Sequence, residues 1–332
     1  MKYWVICDYR ENLKEYHKLG QELYNDHPSI RNIKEIIEAI RSLGYECEYF
    51  GGIPELIHAI EHQQTFEECV FLNFTDGMDQ NYSRVQAPAL LEILGVPYSG
   101  SDVFPSVLMN NKHFSKQAIK DKNIRVAKSC LVNKILPFNY EEICLWKYPL
   151  FVKPNCEGSS LGISPQSVCH TVEEAKIRVQ ELLGEFEEVL IEEFIHGIDV
   201  TNYLIGNSDH YYINDVIVAE LFDKSPYAIY DDLAKQSKAR TLFFNDEKIP
   251  LDTLKKIKSQ SIEIANIIGA RDVCRIDYRL DANTQDFTFI EINSVPRFSS
   301  TSEIGFIASK RNLSFADMLE YYLLAFAERR KR

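Results

Sequence analysis

The chain has 332 residues, more than one core usually organises, so two or three packed domains are expected. Its 37 Lys+Arg against 49 Asp+Glu give a net charge of −12, which repels phosphate backbones and sets nucleic acid aside as a partner. Hydrophobic residues make up 45% and charged residues 26%, and no apolar run reaches the ~18–20 residues that span a bilayer, so a soluble cytoplasmic protein without a membrane partner is expected.

The opening MKYWVICDYRENL has a short apolar run met at once by charges, which reads as a first β-strand (Tyr3–Cys7) and not a signal peptide. The polar stretch from Tyr9 to Pro28 stands where a strand-to-helix loop belongs and is long enough to be a functional lid. Ser29 is a suitable N-cap for a helix with apolar positions at Ile30, Ile33, Ile36, Ile37, Ile40 and Leu43, and Gly44 stops it. Tyr45–Phe50 reads as the next strand, Leu56–Ile60 as part of a short helix, and Val70–Phe74 as a buried strand ending in Thr75-Asp76-Gly77. Ala87–Leu94 reads as a helix closed by Gly95. This alternation implies an N-terminal parallel α/β domain over 1–104.

Pro105 to Asn123 reads as one connecting helix rich in Lys and Asn. Beyond Tyr148 the pattern becomes α+β. Strands are expected at Leu150–Lys153, Gly162–Pro165, Val189–Glu193 and Val200–Ile205, with a helix from Thr171 to Gly184. Cys274–Leu280 and Phe287–Asn293 read as later strands and Phe315–Arg329 as a closing helix, so the remainder divides into lobes at 105–194 and 195–332. The final ERRKR reads as a solvated helix end, and eight scattered cysteines without CxxC spacing read as reduced core thiols.

Three stretches carry chemistry. In CRIDYRLDANTQDFTFIEINSVP (274–296), a turn over 282–286 would set Asp277 opposite Glu291 and Arg275 opposite Asn293, with Ile276, Tyr278, Ile290 and Ile292 turned into a core. Facing carboxylates repel unless a cation sits between them, and two carboxylates with an amide oxygen suit Mg²⁺ or Mn²⁺. The alternative is an exposed hairpin whose charges are solvated and balanced by Arg275. In FVKPNCEGSSLGIS (151–164), Lys153 ends a strand and Gly158, Ser159, Ser160 and Gly162 let backbone N–H groups approach an anion; the alternative is an ordinary Gly/Ser turn. Lys116 in NNKHFSKQ is placed to add a second cation. In VLIEEFIHGIDVT (189–201), Phe194 and Ile195 follow a buried strand and suit a flat purine, with Asp199 near a ribose; the alternative is an edge strand turning at Gly197.

The ordered set LEILGVPYSGS, NNKHFSKQ, FVKPNCEGSSLG, VLIEEFIHG, CRIDYRL, FIEINSVP and SSTS resembles the ATP-grasp superfamily, and its D-alanine–D-alanine ligase branch most closely, over residues 69–325. The resemblance implies a two-lobed ATP-grasp fold behind the N-terminal domain. It implies a ligase that forms an acyl phosphate from ATP and passes the acyl group to an amine, working with two Mg²⁺ (or Mn²⁺) ions on small amino-acid-like substrates, and forming a homodimer. It implies that Lys116, Lys153 and Lys235 approach the ATP phosphates under the Glu157–Gly162 loop (Glu157, Gly158, Ser159, Ser160). Glu192, Phe194, Ile195 and Asp199 would hold adenosine. Asp277, Glu291 and Asn293 would be the metal ligands, and Arg275, Ser159 and Lys235 would act in catalysis. Ser302 would hold the carboxylate of the second amino acid.

Three departures from the family pattern fall on substrates. The glycine-rich turn and amine-binding glutamate after the first strand are missing, leaving Glu11, Glu15, Glu22 and Asp26 as open choices. Gln236 stands where an aromatic is usual, and Arg297 where a glycine lends a backbone N–H to the oxyanion hole. Retained ligase chemistry on substrates other than two D-alanines is therefore expected, with Arg297 set against an extra carboxylate or else pointing to solvent. The alternatives are a canonical D-alanine–D-alanine ligase and a nucleotide-binding protein without catalysis.

Overall fold

The computed structural model describes residues 1–16, 27–78, 82–158, 160–225, 227–229 and 239–331. The N-terminal region is a parallel sheet in the order β2-β1-β3, formed by β1 (Lys2–Ile6), β2 (Glu46–Gly51) and β3 (Cys69–Asn73). The stretch after β1 is not simply loop, because helix α1 occupies Arg10–Tyr16. Helix α2 (Ile30–Ser42) begins in a reciprocal capping box between Ser29 and Asn32 and buries Ile33, Ile36, Ile37 and Ile40. Gly44 beyond its end takes φ +87°, the left-handed conformation that lets the chain reverse into β2. Helices α3 (Ile53–Glu61) and α4 (Gln86–Leu94) cover the sheet's other face, where Leu56, Ala87 and Leu91 join Ile6 and Phe71 in one core.

The expected connecting helix is two. Asn111 has extended backbone and caps the second with its side chain, which accepts from the Phe114 N–H at 2.9 Å. This divides α5 (Val103–Asn110) from α6 (Lys112–Ile119). Met109, Ile119 and Ile124 share a core with Val200, Ile276 and Phe289, so this segment packs on the C-terminal sheet.

Two antiparallel sheets follow. One has the order β4-β7-β5-β6, from β4 (Ser129–Asn133), β5 (Leu150–Pro154), β6 (Val168–Cys169) and β7 (Glu188–Glu193). Helix α7 (Val172–Glu185) packs on it through Ala175, Val179 and Leu182. The strand expected at Gly162–Pro165 is a turn instead. Gly162 sits at φ +69°, where a Cβ would come within 2.7 Å of the Pro154 ring, so no side chain fits.

The other sheet has the order β10-β9-β8-β11-β12, from β8 (Ile198–Asn207), β9 (His210–Leu221), β10 (Arg240–Phe244), β11 (Val273–Leu280) and β12 (Phe287–Asn293). Helix α8 (Leu251–Ile268) covers one face. On β11, Ile276 and Tyr278 point to that helix, and period-two alternation leaves Arg275 and Asp277 on the opposite, cleft-lining face. The register is the expected one, Arg275 opposite Asn293 and Asp277 opposite Glu291, but a bulge follows and Tyr278 pairs with Phe289. The extra residue turns Ile290 out of the core and into the cleft, and Phe289 takes its place, fully buried.

The chain closes with α9 (Glu303–Lys310) and α10 (Phe315–Lys331). Ile304, Ile307, Leu319, Tyr322 and Phe326 pack into one core with Val5, Ile33 and Ile37, which ties the last helices to the first sheet. The basic tail is not wholly solvated: Arg329 reaches the fully buried Asp272 at 2.9 Å, and Asp272 also accepts the Gly100 N–H at 2.8 Å. All eight cysteines are free thiols, and among the described residues no helix is long and apolar enough to cross a membrane.

Candidate active site

A cleft of about 1050 Å³ opens between the three sheets. Its floor is the β11–β12 hairpin. Arg275 donates through Nε and Nη2 to Asp277 Oδ2 at 3.2 and 2.9 Å, and Thr201 on β8 donates to Asp277 Oδ1 at 2.9 Å. Asn293 turns its amide nitrogen to both carboxylates, 3.1 Å from Asp277 and 3.4 Å from Glu291. Lys112 lies 3.3 Å from Glu291. Burial and the neighbouring Glu291 together outweigh Arg275 and push Asp277 up to about 6. Burial acts on Glu291 too, but Lys112, Lys153 and Arg275 outweigh it and hold that carboxyl below the usual range. Two carboxylates crowded onto one amide, one of them reluctant to ionise, form a hard oxygen set that a divalent cation would relieve. Half a turn of the Asn293 amide, which would give up the bond its Oδ1 accepts from Arg84, adds a third oxygen, so these residues fit Mg²⁺ or Mn²⁺.

Deeper in, Glu192 on β7 pairs with Lys153 on β5 at 2.5 Å and with Lys116 on α6. The three are almost fully buried. Burial would raise Glu192, yet the two lysines outweigh it and hold its carboxyl at about 2. Lys116 moves the other way: burial outweighs its attraction to Glu192 and lowers it to about 8. One carboxylate between two ammonium groups leaves a surplus positive charge beside the cleft.

Glu157, Gly158 and Ser160 of the loop after β5 line the cleft, and Ser160 takes φ +63°. The Glu157 carbonyl accepts from Lys112. Phe194 and Ile195 also line the cleft, and with Phe151, Val200 and Ile290 they make an apolar stretch of wall. The Phe194 N–H is spent on the Pro149 carbonyl at 3.0 Å. Arg279 joins the Ile195 carbonyl (3.2 Å) to Asp199 (2.7 Å), which fixes Asp199 at the cleft edge.

On the loop after β12, Arg297 is an exposed cleft residue with no ion pair among the described residues. The Ser302 hydroxyl gives its proton to the backbone, with the Arg297 and Ser299 carbonyls both at 2.8 Å, and so staples the loop in this structure. Glu11 caps α2 through the Ile30 N–H at 3.2 Å, and Glu15 falls on the α1 backbone. Ser159, Lys235, Gln236, Glu22 and Asp26 lie outside the described residues.

Sequence reading missed four cleft residues. Lys112 stands one helical turn before Lys116, so i, i+4 spacing was a usable signal. Arg84, in a short 3₁₀ turn (Ser83–Val85), reaches Asn293 from the N-terminal region and carried no local signal. Glu303 accepts from Tyr203 at 2.8 Å and pairs with Arg240, and β10, which carries Arg240, was not foreseen. Burial would raise Glu303, but Arg275 and Arg240 outweigh it and hold it low.

Two antiparallel sheets closing on a nucleotide-sized cleft, with a carboxylate hairpin on its floor, are the architecture of the ATP-grasp ligases. A family model described as D-ala D-ala ligase C-terminus matches residues 128–323, and the chain belongs to that family. It is a ligase of the class that forms C–N bonds. A D-alanine–D-alanine ligase of Aquifex aeolicus is 28% identical over 298 residues, covering 88% of this chain and 93% of that one. The solved D-alanine–D-alanine ligase of Bacillus anthracis complexed with ATP superposes with a TM-score of 0.75 at 18% identity, over 100% of this chain and 99% of that one. The VanG D-Ala:D-Ser ligase of Enterococcus faecalis gives 0.74 at 18% identity, over 98% and 99%.

Proposed function

We propose that the protein is an ATP-dependent carboxylate–amine ligase that joins amino acids or amino-acid-like substrates through an acyl phosphate, releasing ADP and phosphate. The observation that carries the reading is the Arg275–Asp277–Glu291–Asn293 constellation on facing strands of one cleft, with Lys112 and Lys153 close enough to hold Glu291 ionised.

Lys116 and Lys153 hold nucleotide phosphates with Lys235, and the Glu157–Gly162 loop, with Gly158, Ser159 and Ser160, closes over them. Phe194, Ile195 and Asp199 hold adenosine, whereas Glu192, expected with them, sets the two lysines in place, because its carboxylate lies between Lys116 and Lys153. Asp277, Glu291 and Asn293 would hold two Mg²⁺ ions, which would offset the charge of the phosphates when bound. The substrate carboxylate forms its bond to the γ-phosphorus, and the bond to the β–γ bridging oxygen breaks with the electron pair leaving on ADP. The neutral amine then attacks the acyl carbon, the C–O bond to phosphate breaks with its electron pair leaving on phosphate, and the nitrogen sheds one proton to solvent. Arg275, held in plane by Asp277, supplies a fixed positive charge where the oxyanion forms; a donor so placed is worth ~3–4 kcal/mol. Exclusion of water by the closed loops protects the acyl phosphate.

Arg297 at the cleft rim favours a substrate with a carboxylate beyond the reacting one. The decisive assay is phosphate release from Mg-ATP against D- and L-amino acids, acidic and neutral, singly and in pairs, with product masses. A product equal to two substrates less water establishes ligation and names them. Release with D-alanine alone restores the canonical reading that the relatives' names suggest, and no release from any pair counts against the ligase reading. Arg297→Ala should lower kcat/KM for acidic partners about tenfold and leave neutral ones unchanged, as expected for one charged contact; an unaltered preference would remove Arg297 from substrate recognition.

A further inference from the structure

Arg84 stands apart from the lysines and the hairpin arginine. It comes from the N-terminal region, yet its guanidinium touches three segments that meet at the reaction centre. Nε donates to Asp76 at 2.8 Å. Nη1 donates to Asn293 Oδ1 at 3.3 Å, on the outer edge of the carboxylate hairpin. Nη2 lies over Gly158 of the phosphate loop, where a Cβ would come within 3.2 Å of it. Gly158 carries no side chain to crowd the flat cation that lies between loop and hairpin. A guanidinium presents its donors in a rigid fork that matches the paired oxygens of a carboxylate or phosphate, which an ammonium cannot do.

We infer that Arg84 is a catalytic residue of the first half-reaction, contacting the oxygens shared between the substrate carboxylate and the transferred phosphoryl group, with Asp76 as its positioning partner. This rests on the ligase reading above. In that step one O–P bond forms to the carboxylate and one breaks to the bridging oxygen of ATP, with no proton moving. The work left to the protein is to offset spreading negative charge, and Arg84 brings that charge from the N-terminal side of the cleft while Lys153 and Arg275 supply it from the other two sheets.

The test compares two probes on the full chain with Mg²⁺ by calorimetry: a non-hydrolysable ATP analogue for the ground state, and ADP with aluminium fluoride for the phosphoryl group in flight. Arg84→Ala should weaken the aluminium fluoride complex by roughly 30-fold, the size of one charge-assisted contact, and leave the analogue within threefold. Arg84→Lys should recover only part of the loss, and Asp76→Asn should fall between wild type and Arg84→Ala; both also guard against a folding defect, checked by melting temperature. Equal weakening of both probes, or of neither, overturns the assignment. Tighter Mn²⁺ binding in Arg84→Ala with an unchanged aluminium fluoride complex also overturns it, making Arg84 a mere counter-charge for the hairpin. Wild-type protein that binds neither probe would sink the ligase reading as well, whereas wild-type binding with an indifferent Arg84→Ala sinks this inference alone.

Discussion

In the four-stranded sheet, Glu192 sits between Lys116 and Lys153 and all three are 3% exposed or less. On the β11–β12 hairpin, Asp277 and Glu291 each keep 19% of their side chain exposed, with Arg275 and Lys112 as cations. The first cluster has two positive charges on one negative and is sealed by packing. The second has two negatives side by side, and burial together with Glu291 pushes the Asp277 carboxyl up. A buried cluster with surplus charge is a prepared anion site whose internal pairing holds the lysines still. An open, strained carboxylate pair is a site waiting for a counter-ion. Charge on the two walls of one cleft is thus held in two ways, one locked by internal pairing and packing, the other left with two carboxylates side by side.

The comparison breaks most sharply at Asp277. Asp277→Asn should lower phosphate release by about 10³-fold, on the scale of losing a group that stabilises transition-state charge. It should leave the melting temperature level or higher, because it removes a charge that burial, with Glu291 beside it, disfavours by more than Arg275 favours it. A large loss of stability would show that the hairpin charges are structural. Glu192→Gln should do the reverse, costing about 3–5 kcal/mol in urea unfolding because two buried ammonium groups lose their partner. A cost under 1 kcal/mol would show that water already screens the pair. The smallest effect is a titration. Lys116 loses its proton as pH rises through about 8, so its charge is present below that pH and absent above it. ATP affinity should therefore fall by up to tenfold per unit above pH 8, with proton uptake on binding near pH 8 to 9 read from buffer-dependent calorimetric heats. Lys116→Met should abolish that uptake.

Strict short-range periodicities made much of the fold legible. The N-cap at Ser29, the alternation along β11 and β12, and the Gly95 stop follow from one stretch of chain each, and the opposition of Asp277 to Glu291 follows from counting across one turn. Ile290 escaped because a bulge inserts one residue and reverses every facing beyond it, which no count across a regular hairpin reveals. The break at Asn111 escaped because a lysine- and asparagine-rich helix looks continuous until one side chain caps the next turn. Arg84 and Glu303 escaped for a deeper reason. Their partners lie 209 residues away in one case and 100 in the other, and tertiary placement alone makes them part of a site.

The core shared by Val5, Ile33, Ile37, Leu319, Tyr322 and Phe326 has a consequence in time. The first sheet leaves the ribosome well before the helices of residues 303–331 that cover α2. At roughly 5–20 residues per second, that apolar face waits some tens of seconds for its lid. The N-terminal region is thus born with a sticky side, which stays bare until α9 and α10 follow it.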